Sequence, residues 1–154
     1  MKKKTLPPRS DIPLEETWNL ENVFTSIDAW ETAKDEVLSA IPDLADYKGK
    51  LSEDSKSLGD FLMLYETTLR KAQRVMIYGM LESSVDTTNQ QAQARYGQGQ
   101  SVYVQLNAAT SFLNPELMAI GFTKLRQWIQ EDDRLAHLGH FLDELEREKD
   151  HVRS

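Results

Sequence analysis

Three histidines, His137, His140 and His151, are the side chains of this 154-residue sequence best suited to hold a metal or exchange a proton near neutral pH. His137 and His140 are three apart. A helix through them sets both imidazoles on one face, with Asp133 a turn before and Glu144 a turn after. Two imidazoles and a carboxylate make a partial zinc set. One helix supplies only neighbouring ligands, however, and a catalytic zinc needs a further ligand from another element and a glutamate beside it. No His-Glu pair occurs in the chain, so the H-E-x-x-H zinc-peptidase motif is absent. The expected state is histidines that are exposed or hydrogen-bonded beside an apolar stripe, and no metal ligand is assigned.

Other candidate chemistry thins in the same way. Carboxylates cluster at Glu15-Glu16, Glu53-Asp54, Glu131-Asp132-Asp133 and Asp143-Glu144. Helix starts and hydrated faces account for most of them, because a helix N-terminus favours negative charge. Gly97 and Gly99 stand in Gly97-Gln-Gly99-Gln-Ser-Val, which lacks the third glycine and the preceding strand of a phosphate loop. They indicate close helix approach or a local weak point, since each costs about 1 kcal/mol relative to alanine. Arg70, Lys71 and Arg74 read as a solvated basic face. There is no cysteine, which excludes disulfides, thiol nucleophiles and cysteine-bound metal clusters. No residue is assigned a catalytic or cofactor-binding role.

The elements that carry these residues are helical. Apolar residues recur at three and four from Ala29 to Ile41, from Leu58 to Met80, from Ala92 to Leu113, and from Leu135 to Leu145. Ser26 or Asp28 caps the first segment, and Pro42 ends or kinks it. Ser52 or Ser55 opens the second, Asp86-Thr-Thr-Asn89 breaks it, and Asn114-Pro115 stops the third. Thr123 caps a short helix through Trp128, and Asp132 or Asp133 caps the last. Pro7, Pro8 and Pro13 keep residues 1–27 from a continuous helix, although Ile12, Leu14, Trp18, Leu20, Val23 and Phe24 are apolar. The fold class is therefore all-α: an antiparallel helical bundle over residues 28–154 with an extended N-terminal arm over 1–27, and one helical turn within Asn19–Phe24.

Charge and hydropathy bound the partners. The 18 basic and 25 acidic residues leave a net charge of −7, which argues against nucleic acid and anionic lipid. No apolar run approaches the roughly 20 residues needed to cross a bilayer. A cytoplasmic location is the expectation.

The order of segments adds a resemblance. Leu6-Pro-Pro-Arg-Ser-Asp-Ile-Pro13, then Thr17-Trp-Asn-Leu-Glu-Asn-Val-Phe24, resembles the start of oligoendopeptidase F, a thimet-oligopeptidase-like zinc metallopeptidase. The likeness continues through Trp30, Tyr47-Lys-Gly-Lys50-Leu, Asp86-Thr-Thr-Asn89 and Ala108-Ala-Thr-Ser-Phe112-Leu-Asn-Pro-Glu-Leu117, and into His140-Phe-Leu-Asp-Glu-Leu. It implies that the chain is the helical N-terminal domain of a longer peptidase. It further implies that this domain walls a channel admitting short peptides. In the family the zinc is held by H-E-x-x-H and a later glutamate in the C-terminal portion, which have no counterpart here. Zinc is thus implied for the parent enzyme and not for this chain. The implied partners are a catalytic domain of the same polypeptide and short peptides, and the chain alone is expected to be inactive. A free-standing helical protein-interaction module is the alternative.

Overall fold

The computed structural model describes residues 12, 13, 16 and 19–151, apart from the side chains at 145 and 148–151. A 3-10 turn at Leu20–Asn22 precedes α1 (Ile27–Ala45), α2 (Ser55–Val85) and α3 (Gln90–Ala109). Then follow α4 (Leu113–Ile120), α5 (Phe122–Glu131), a second 3-10 turn (Asp133–Leu135) and α6 (Leu138–His151). The fold is all-α, with no strand among the described residues. Most of the expected arm lies outside the described residues, Trp18 included. The expected turn within Asn19–Phe24 is present as the first 3-10 turn, capped by Asn19.

Helix starts follow side-chain chemistry. Ser26 Oγ accepts from the Ala29 N–H at 3.1 Å, and Asn89 Oδ1 accepts from Gln91 and Ala92. The second helix departs from expectation: Asp54, not a serine, is the cap, accepting from the Ser57 N–H at 2.7 Å. A full negative charge at the helix N-terminus is favoured there.

Helix ends also shift. Pro42 does not end α1, which runs on to Ala45. The missing N–H forfeits one bond, but the Pro42 carbonyl still accepts from Asp46, and continuation buries Leu44 fully. α3 stops at Ala109, before Asn114-Pro115, where Thr110 turns its hydroxyl onto the Leu106 carbonyl at 2.9 Å. Pro115 then sits in the first turn of α4, where no intrahelical N–H bond is lost. α5 begins at Phe122 without a side-chain cap, directly after Gly121, whose φ of +88° suits glycine. Thr123 is therefore not a cap.

α2 is the central element. Trp30 meets Val75 and Glu36 pairs with Lys71, so α1 runs antiparallel to α2. Gly79 meets Tyr96 and Gly99 meets Met76, so α3 is antiparallel to α2 as well. A Cβ on Gly79 would lie 2.7 Å from Tyr96 Cα, and one on Gly99 would lie 2.8 Å from Met76 Cα. The two backbones touch where both helices lack side chains, which settles Gly99 as a close-approach residue. Gly97 has nothing within 4 Å of a built Cβ. Because α2 is flanked on two sides, its buried surface is wider than one stripe. Val75 and Tyr78 are buried, whereas Met76 is half-buried and Met80 exposed. On α3, Val102 is buried and Ala108 is exposed.

Two apolar clusters result. The larger joins Leu44, Leu58, Phe61 and Leu106 to Leu117, Leu125, Leu135 and Leu142, so the three short helices share the core of the long ones. The smaller holds Trp30, Ala33, Val75 and Tyr78, with Leu20, Val23 and Phe24 packed on it. A carboxylate ties α4 to the turn after α1: Glu116 accepts from the Gly49 N–H at 2.6 Å and the Leu51 N–H at 3.3 Å. Glu116→Ala should lower the unfolding free energy by about 1–2 kcal/mol in urea melts, because two backbone donors lose a charged acceptor.

Candidate functional site

The two histidines read together from the sequence are separated by the fold. Asp132 accepts from the Arg134 N–H at 3.0 Å and caps the 3-10 turn, so α6 starts only at Leu138 and His137 precedes it. His137 Nε2 lies 2.6 Å from Glu66 Oε1 on α2, while His140 Nε2 lies 3.2 Å from Glu144 one turn along α6. They are thus committed to different carboxylates. Among the described residues no three histidine, aspartate or glutamate side chains gather as a metal ion requires. These residues do not fit the zinc that the resemblance implies for the parent enzyme. His151 lies at the end of α6, and nothing further is described of its side chain.

The acidic clusters serve helix ends and ion pairs. Arg134 joins Asp132 and, at 2.6 Å, Asp60 of α2, and its guanidinium lies against Gly59. Both carboxylates are held below the ordinary aspartate value, Asp132 chiefly by Arg134, and Asp60 first by Lys56 and then by Arg134. Arg126 joins α5 to α6 through Asp143 and Glu146, both at 2.7 Å, and lowers Asp143. Asp54 is lowered by its hydrogen bond from the Ser57 N–H.

These shifts fix the sign of an acid response. A folded state with depressed aspartate values binds fewer protons than the unfolded chain as pH falls through the ordinary value near 3.8. Their stabilisation is therefore present above that pH and lost below it. Thermal melts should show a midpoint that falls on acidification through pH 4 to 3, with a smaller fall in Asp132→Asn.

The basic cluster on α2 is not merely solvated. Lys71 pairs with Glu36 of α1, and Arg74 donates to the Val23 carbonyl and lies 5.1 Å over the Phe24 ring. Together they hold the segment before α1 against the bundle. An open cleft of about 500 Å³ remains there, lined by Phe24, Thr25, Ala33, Glu36, Lys71 and Arg74. Tyr78 is also placed: it is buried, edge-on to Phe24 at 5.7 Å, and burial raises its hydroxyl pKa. At the α2–α3 crossing, Arg95 grips Glu82 through two bonds of 2.5 and 2.7 Å, with both side chains mostly buried. Sequence reading missed Arg134, Glu116 and the Glu82–Arg95 pair. The Asp132-x-Arg134 spacing was a local signal for the first, but the others join residues far apart in the chain.

The arrangement is thus a scaffold of helices braced by ion pairs and backbone contacts, without a convergent catalytic set among the described residues. Residues 116–154 match the sequence profile of the family described as "Oligopeptidase F". "Oligopeptidase PepF" of Bacillus subtilis (strain 168) is 34% identical over 99% of this chain. "Group B oligopeptidase PepB" of Streptococcus agalactiae serotype III (strain NEM316) is 27% identical over 95% of it. The crystal structure of oligoendopeptidase-F from Enterococcus faecium shares the fold, with a TM-score of 0.71 over 77% of this chain, 23% of that chain, and 19% identity. In class, the chain is a helical domain similar to part of these oligopeptidases. In particular, it matches the N-terminal domain of oligoendopeptidase F. It spans 23% of the length of the Bacillus subtilis relative and 24% of the Streptococcus agalactiae one.

Proposed function

We propose that the chain is the non-catalytic N-terminal domain of a peptidase that hydrolyses short peptides, and that it forms one wall of the substrate channel. The observation that carries this reading is the 34% identity to an oligopeptidase along 99% of the chain, confined to 23% of that relative's length. The internal construction supports it. Two long helices are locked backbone to backbone at Gly79 and Gly99, which suits a rigid wall better than a mobile lid. His137 and His140 are engaged with separate carboxylates, which supports a zinc held by residues other than these two. Its working partners would be a catalytic domain of the same polypeptide and peptides in the channel.

The purified chain, given zinc and a quenched fluorescent peptide of about ten residues, small enough for an enclosed pocket, should show no turnover. Chelator-sensitive hydrolysis that tracks the purified protein would defeat the non-catalytic assignment.

A further inference from the structure

The cleft beside the segment before α1 carries two opposite charges that do not pair with each other. Four charged side chains line it: Glu21, Glu36, Lys71 and Arg74. Lys71 and Glu36 neutralise one another across α1 and α2. Arg74 gives one N–H to the Val23 carbonyl and lies over the Phe24 ring, but it meets no carboxylate among the described residues. By contrast, Arg70, Arg95, Arg126 and Arg134 each pair with a glutamate or an aspartate. A guanidinium has five N–H donors in a fork that matches a carboxylate, so Arg74 keeps donors to offer. Glu21 stands in a similar state. Its N–H is bound by the Asn19 side chain, and its exposed carboxylate is in no ion pair among the described residues.

The remaining walls are apolar, from Val23, Ala29 and Ala33. The combination matches a ligand with an anionic end, a cationic end and small apolar groups between them. Overall charge narrows the choice further. A chain of net charge −7 repels a simple anion at long range, whereas a zwitterion carries no net charge and escapes that cost. A free amino acid holds both charges on one carbon. A short peptide separates them, as two protein groups too far apart to pair require. The cleft volume of about 500 Å³ lies within the roughly 300–1,000 Å³ of small-molecule sites.

We propose that this cleft binds a short zwitterionic peptide, with its carboxylate on Arg74 and its ammonium on Glu21. The ligand class rests on the peptidase reading above, and the test reads binding alone. Tri-alanine titrated into the isotope-labelled chain should shift the backbone amides of Phe24, Thr25 and Ala29 and saturate with a Kd of about 1 mM. Amidating the peptide's C-terminus, or acetylating its N-terminus, should each weaken binding about tenfold, the loss of one charge-assisted contact. Glu21→Gln should bind the free and acetylated peptides equally and still discriminate against the amide. Arg74→Gln should do the converse. Glu21 makes no side-chain contact that holds the fold, so Glu21→Gln keeps the test sound if Arg74→Gln loosens the Val23 segment. No saturable shift at these amides, equal affinity for tri-alanine and its amide, or inorganic phosphate bound as tightly as the peptide would overturn the proposal. None of those results would touch the channel-wall role, which is read by hydrolysis in a protein that has a catalytic domain.

Discussion

Trp30→Ala should remove about 4 kcal/mol of unfolding free energy, a fall of about 10 °C in Tm for a chain of this size. Trp30 is wholly buried, and it anchors the smaller apolar cluster between α1 and α2. Its indole N–H donates to the Val75 carbonyl at 2.9 Å. Truncation leaves a large cavity beside Ala33, Val75 and Tyr78 and withdraws support from Leu20, Val23 and Phe24. Trp30→Phe keeps much of the ring packing and loses the donor, so it should cost about 1–2 kcal/mol. Chemical denaturation of the three proteins checks the order. A Trp30→Ala protein as stable as the wild type would mean that the cluster does not hold α1 to α2.

Gly79→Val should be nearly as damaging, with a loss of about 3 kcal/mol. The new Cβ would sit 2.7 Å from Tyr96 Cα and N, which are backbone atoms that no rotamer change can move aside. α2 and α3 would have to separate, disturbing the Glu82–Arg95 pair at the same crossing. Gly97→Ala supplies the contrast. With open space around it, that substitution should raise stability by up to about 1 kcal/mol through helix propensity alone. Thermal melts at low protein concentration compare the two. Equal losses at positions 79 and 97 would contradict the crossing.

The pair Gly97 and Gly99 shows what the sequence could and could not tell. Two glycines in one helix suggested either close approach or a weak point, and only the packing partner decides between these. Gly99 faces the backbone of Met76, and Gly97 faces nothing in the chain. The helices themselves were legible because apolar residues recur at helical spacing and Ser26 and Asn89 are strong caps. The end of α3 was not, because Thr110 competes for the Leu106 carbonyl five residues before the proline that looked decisive. The site suffered from the same kind of local shift. Asp132 serves a 3-10 turn and not α6, which moves His137 off the helix and towards Glu66. The carboxylate partners of Arg95, Arg126 and Lys71 lie 13 to 35 residues away, where no periodicity reports them.

Peptide hydrolysis by a chimera tests the central claim most directly. This chain would replace the matching 23% of the Bacillus subtilis oligopeptidase to which it is 34% identical. The proposed role predicts that the chimera cleaves a short fluorescent peptide, while this chain alone and the relative without its matching segment do not. A folded chimera without activity, or hydrolysis undiminished when the segment is simply deleted, would contradict it.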